Sequence, residues 1–343
     1  TSTDLIPSYA NIVNTSQQAV LIENMTGGFV NAFGATISDD GGTGIDILNN
    51  ASNVTIDNAQ LMNSTATGIR IVNSTGVNTF RNSLQGSTLV SGAAQQSVLI
   101  DTLGATGQVT FADLQIDDRN GAGIDIDSNS GLIDFVQPVL IGTPAGGADA
   151  GVSIAGSQAT SVIRFSEALT VNGSNGRGIE VTGSVLGSQI NFLGPVTVAD
   201  TTAESIAIDN EGGILQFNDG TAITGGADTG VSIQNSTGAI AFEGATSITG
   251  GGANSPSVDI QGSEANVLFE SLSISNAANA TPGEGAGVNL QNNIAGGTNT
   301  AIMTFTDLII QGTDTGFLGL NNSEIRILGG EINTTGGPAI DLE

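Results

Sequence analysis

Apolar residues in this chain come in short alternating triplets. The stretch TGIDILNN (43–50) is followed by TGIRIVNS (67–74), AGIDIDSN (122–129), AGVSIAGS (150–157) and TGVSIQNS (229–236). Aligned on the first apolar residue of each, anchors fall at Val20, Ile45, Ile69, Val98, Ile124, Val152, Ile179, Ile206, Val231, Val258, Val288, Phe317 and Ile340. The intervals between them average about 27 residues. A second triplet follows each anchor, as in VTF (109–111), IDF (133–135), IRF (163–165), INF (190–192) and IAF (240–242). A third follows that, as in LQI (114–116), VLI (139–141), LTV (169–171) and VTV (196–198). Alternation with period two is the mark of a strand with one buried face. The letters between triplets are Gly, Asn, Ser and Asp, the residues of turns. No segment of about ten residues has a helical period.

One repeat is therefore read as three short strands and three turns. A unit this small cannot bury its apolar face alone, whereas stacked copies bury a continuous core. The expected fold is all-β: a right-handed single-stranded parallel β-helix, a solenoid of about 12–13 coils of about 27 residues each. At a strand spacing of about 4.8 Å, twelve intervals make a rod of about 58 Å. Residues 18–343 form the repeat domain, and residues 1–17 an N-terminal cap or incomplete coil. Phe80, Phe111, Phe135, Phe165, Phe192, Phe217, Phe242, Phe269 and Phe305 recur at one place, with Ile56 and Ile327 nearer the ends. They are expected to stack inside the rod, where ring pairs add about 0.5–1.5 kcal/mol beyond their area. The Gly before most anchors (Gly44, Gly68, Gly123, Gly151, Gly178) is expected to supply a backbone conformation closed to other residues. Asn and Ser after the first strand are expected to form a polar ladder at one corner.

Composition narrows the function. Asp and Glu number 33 against 6 Arg, with no Lys and no His, for a net charge of −27. Such a surface is unsuited to nucleic acid, which needs basic patches. No run of about 18 apolar residues occurs, so no membrane insertion by a helix is expected. With no Cys, neither disulfides nor thiolate metal sites hold the chain. Walker loops, G-x-S-x-G and zinc spacings are absent, and eleven N-x-[ST] sequons fit a chain rich in Asn, Ser and Thr. No organic cofactor and no catalytic residues are assigned, since His and Lys, the commonest bases, are missing. The weak metal candidates are two acidic pairs, Asp39–Asp40 and Asp117–Asp118, whose hard oxygens suit calcium. The bland reading of both is a solvated acidic turn. No regular Thr face supports ice binding.

The ends suggest assembly. LIPSYANIV (5–13) is apolar and irregular, and GGPAIDLE (336–343) breaks off one strand into a repeat. Leu5, Ile6, Ile12 and Val13 at one end and Ala339, Ile340 and Leu342 at the other are the expected self-association residues. Their contact would be heterologous and would propagate head to tail. The competing reading is that the chain is a stretch of a longer array.

Repeats such as TGVSIQNSTGAIAFEGATSITG (229–250) resemble those of bacterial extracellular and surface β-helix repeat proteins of the adhesin or filament-forming type. The resemblance runs from about residue 18 onward. It implies an extracellular or cell-surface location and a structural or adhesive role. The membrane-inserting barrel and secretion motif of some such families are not seen, which leaves the export route open. The expected function is a non-enzymatic rod that self-associates into a filament or stalk. The alternative is a carbohydrate-active β-helix, a polysaccharide lyase or hydrolase, or an adhesin that binds surface polysaccharide. Against an enzyme, the longest repeats exceed the mean by only two or three residues, too little for a deep cleft.

Overall fold

Short runs of Ile, Val and Phe form strands here because each can lay one face on a shared interior while its edges pair with neighbours. The computed structural model describes residues 11–13, 17–34, 36–38, 41–83, 87–117, 119–142, 149–275, 285–294 and 301–343. These residues form a parallel β-solenoid of strands and turns without a helix. All thirteen anchors stand in one column. Val20 pairs with Ile45, Ile45 with Ile69, and so on to Phe317 with Ile340, every pair parallel and in register. They make a 13-stranded sheet that forms one face of the rod. The strand Asn11–Val13 pairs parallel with Thr36–Ser38 and so joins the column of third strands.

Of the three turns expected per coil, the one between the second and third strands is the tightest. The second and third strands belong to a single 22-stranded sheet. In three coils they run on as one bent strand, Ala239–Thr249, Asn266–Ser275 and Ile302–Thr313. A register shift between Phe242 and Ala245 marks the bend. A bulge re-aims the chain without a full turn, so this corner costs fewer residues than the other two.

The interior is ordered by columns, and its apolar side chains are buried. From Phe80 to Phe305 the nine rings stack with centroids 4.4–5.6 Å apart and planes within 12°. None is more than 1% exposed. Ile56 pairs with Phe80 and Ile327 with Phe305, so the aliphatic residues close the column at both ends. Phe317, from the first sheet, meets Phe305 edge-on at 5.6 Å.

The glycines before the anchors have a different cause from the one expected. None of Gly44, Gly68, Gly123, Gly151 and Gly178 lies at positive φ. A Cβ on each would sit less than 3.0 Å from two neighbours: a third-strand side chain such as Val198, and the carbonyl of the equivalent residue one coil on. Packing, not backbone freedom, demands a small residue. Ser97, Ser205 and Ser257 meet the same demand, fully buried.

Left-handed backbone lies instead at two corners: after the third strand, where Asn63, Gly92, Gly173, Asp200 and Gly225 have φ of 53–70°, and after the first. Asn49, Asn73, Asn210, Asn235, Asn292 and Asn321 have φ between 48° and 56°, and Gly156, Gly183 and Gly262 share the position at 59–65°. Asn tolerates this region because its short amide bonds locally. The amides also bond along the rod: Asn73 Nδ2 donates to Asn49 Oδ1 at 3.2 Å, and Asn321 Nδ2 to Asn292 Oδ1 at 3.1 Å. Thr102 occupies the same position at φ 55°, where a β-branched residue is strained. We expect Thr102→Asn to stabilise the rod by about 1 kcal/mol, read as a higher denaturation midpoint. An unchanged or lower midpoint would show that this corner carries no strain.

Candidate functional site

The outward residues of the first sheet form a shallow polar trough. Along the rod they run Asp46, Arg70, Leu99, Asp125, Ser153, Glu180, Ala207, Ser232, Asp259 and Asn289, one per coil. Outward side chains of a single-layer sheet would ordinarily be well solvated. Here Asp46 is completely buried, and Ala207, Ser232, Asp259 and Asn289 are 5–9% exposed. Part of the cover comes from the turns that lead into the first strands. Gln96 Nε2 donates to Asp125 Oδ2 at 3.3 Å, and Gln18 Nε2 to Asp46 Oδ2 at 3.4 Å. Arg177 reaches Glu204 Oε2 at 3.0 Å and also pairs with Glu180.

Three polar groupings occupy the trough. The first is a two-pronged ion pair across adjacent coils: Arg70 donates from Nε to Asp46 Oδ1 at 2.8 Å and from Nη2 to Asp46 Oδ2 at 2.7 Å. This pairing holds the Arg70 guanidinium above its ordinary pKa. The second is a cavity of about 210 Å³ lined by Gln96, Ala122, Asp125, Asp149, Ala150, Ser153 and Glu180. Burial pushes the Asp125 carboxyl up; Gln96 and Ser153 oppose the shift, and the charges of Asp127 and Asp149 add to it. The third is an amide-rich cluster. Asp259 accepts from Asn289 Nδ2 at 2.7 Å and from Gln261 Nε2 at 2.8 Å, and burial again raises its carboxyl.

Behind the cavity lies Arg119, fully buried. Its guanidinium donates to Gly121 O at 2.8 Å, Ala150 O at 3.2 Å and Ser174 Oγ at 3.3 Å. Burial lowers its pKa to about 10, with Asp149 opposing. It pins the Ala150 wall from inside. The sequence marks neither the trough nor this role; in it Arg119 is a cation next to the acidic pair Asp117–Asp118.

The expected metal candidates fare differently. Asp39, Asp40 and Asp118 lie outside the described residues. Asp117 ends the strand Leu114–Asp117, and its Oδ2 accepts from Gln115 Nε2 at 2.8 Å. Among the described residues, no three His, Cys, Asp or Glu side chains are placed to share a metal ion.

Of the expected self-association residues, Leu5 and Ile6 lie outside the described residues. Ile12 and Val13 pair through their backbones with Ile37 and Ser38. Ala339, Ile340 and Leu342 are exposed, Ile340 by 49% and Leu342 by 61%. Ile340 and Ala339 line a hollow of about 370 Å³ with Leu308, Ile327, Leu328 and Ile332. Leu342 lines a neighbouring hollow with Gly319, Asn322 and Ile325.

The fold defines the class as a parallel β-solenoid. Comparison with known protein families, with curated proteins and with solved structures finds no match.

The ion pair gives a direct test of how far the trough is desolvated. Arg70→Met leaves the Asp46 carboxylate buried without its cation and is expected to cost about 2–3 kcal/mol. Adding Asp46→Asn should restore most of that loss. If the single variant melts like the parent, the trough is open to water.

Proposed function

We propose that this chain is a non-enzymatic extracellular structural protein, a rigid rod that self-associates head to tail into a filament or surface stalk. The observation that carries the reading is the rod itself: its first strands pair parallel and in register as a 13-stranded sheet, and nine rings stack unbroken through the interior. A contact between unlike faces of two copies repeats along such an axis, and the apolar side chains of Ile340 and Leu342 are the proposed contact. The extracellular placement follows from the resemblance of the repeats.

The purified chain is expected to form filaments one rod wide in negative-stain electron microscopy. The pair Ile340→Asp with Leu342→Asp should leave single rods of unchanged circular dichroism. Monomeric rods from the unsubstituted chain at high concentration would remove self-association.

The trough favours a second reading, an adhesin that binds polysaccharide. A carboxylate, a hydroxyl and a second carboxylate follow one another at the coil spacing, Asp125, Ser153 and Glu180, and line a cavity. Hydroxyl-rich polymers supply the donors that such acceptors need. Retention on immobilised neutral or basic polysaccharide should fall for Asp125→Asn with Glu180→Gln. Equal retention of variant and parent would exclude the trough, and newly released reducing or unsaturated ends would point to an enzyme.

A further inference from the structure

The corner after each first strand encloses a polar column inside the rod. Its occupant sits five residues after the anchor and is Asn or Ser in most coils. Asn129 shows what the position asks for. Its Oδ1 accepts from Gly131 N at 3.0 Å, while its Nδ2 donates to Gly131 O at 3.1 Å and to Ser161 Oγ at 2.7 Å. Asn50 repeats the pattern with Ser52 N and Ser52 O. The site wants one acceptor and one donor.

The coil anchored at Ile206 places Glu211 there. The side chain is fully buried. Its Oε1 accepts from Gly213 N at 2.7 Å and so supplies the acceptor half. A carboxylate has no donor half, and Oε2 has no hydrogen-bond partner among the described residues. The Ser184 hydroxyl faces the same carboxyl from the coil before, and it too lacks a hydrogen-bond partner there. That hydroxyl can donate to Oε2 of the ionised carboxyl or accept from its acid form.

No cation answers the charge. The segments packed on Glu211 from the adjacent coils, residues 182–188 and 234–238, contain no ionisable residue. On its own coil the nearest in sequence is Asp209, whose Oδ1 accepts from Asn235 Nδ2 at 3.1 Å. A buried charge without a partner gives way by neutralising. Burial accordingly pushes the Glu211 carboxyl above its ordinary 4.5, with the Ser184 hydroxyl and the Gly213 amide opposing.

We propose that Glu211 is a proton-binding site built into the rod: buried, with no cation on the segments packed against it, it holds its proton in the folded chain, and release of that proton to solvent leaves an uncompensated charge that loosens the corner. The device is independent of how rods assemble. Its sign is fixed by linkage. A carboxyl raised on folding holds its proton more tightly in the folded chain than in the unfolded one. The stability it confers is complete below the ordinary carboxyl range and is lost as pH climbs through the folded value.

The test uses the full chain. Glu211→Gln is the isostere of the acid form and keeps both an acceptor for Gly213 and a donor for Ser184. It should melt about 2 °C above the parent at pH 8, with the gap closing by pH 4. In the parent, the ¹³C-carboxyl resonance of Glu211 should titrate with a midpoint above 4.5. A gap that does not change with pH, a variant less stable at pH 8, or a midpoint at or below 4.5 would overturn the proposal. So would added calcium or sodium that raises the melting point of the parent at pH 8 but not that of Glu211→Gln, because a metal ion would then be the counter-charge. Should the variant fail to fold, the resonance titration decides alone.

Discussion

Everything in this rod follows from parallel pairing in register. Each strand must give its amide hydrogens and carbonyls to the strands one coil away, since buried backbone groups left unpaired are costly. Those strands lie about 4.8 Å off along the axis. The same register that satisfies the backbone sets each side chain on its equivalent in the next coil. Phe165 lies on Phe192 because Val162 pairs with Gln189 three residues earlier. A ring fits this spacing when laid flat on another ring, and the observed centroid distances bracket it. One column of nine rings is thus the consequence of a hydrogen-bonding rule acting on a repeated sequence.

The same rule limits where charge can go. Like charges in adjacent coils face each other at the strand spacing and destabilise the pair. Along the trough no two acids are adjacent: Asp46 is followed by Arg70, Asp125 by Ser153, Glu180 by Ala207 and Asp259 by Asn289. On the second strands Asp134 is followed by Arg164. Asp101 against Asp127 breaks the order, and there Asp127 is exposed to water. A chain of net charge −27 therefore folds by separating its carboxylates along each column, with few cations needed. At Asp125, Glu211 and Asp259, burial pushes the carboxyl pKa up.

The columns were legible in the sequence because register copies the period of the repeat. Anchors read from eight-letter fragments pair without a single slip, and the Phe column runs from Phe80 to Phe305 as read, with Ile56 and Ile327 at its ends. What escaped was set between columns. The demand for a small residue before each anchor depends on a third-strand side chain such as Val198 and on a carbonyl one coil away, and neither is visible in a local motif. The positive φ after the first strand left a signal in the alternation of Asn and Gly at one position, which reads equally well as a polar ladder. The bend joining the second and third strands left only a shortened spacing. The trough was illegible because its cover comes from turns such as those carrying Gln96 and Arg177, and turn length varies from coil to coil.

A solenoid distributes these effects in a particular way. Each coil touches its two neighbours and little else, so stability is close to a sum of coil terms and interface terms. In a single globular core a strained corner or a buried acid is shared across the whole structure. Here Thr102 belongs to one coil, Arg119 bridges a few, and Glu211 belongs to another. The ring column runs unbroken past all three of them. The axial contact of the rod can therefore persist while one corner responds to its surroundings. A solenoid built this way keeps its length and direction through the aromatic column, while a change at one corner stays with the coils that carry it.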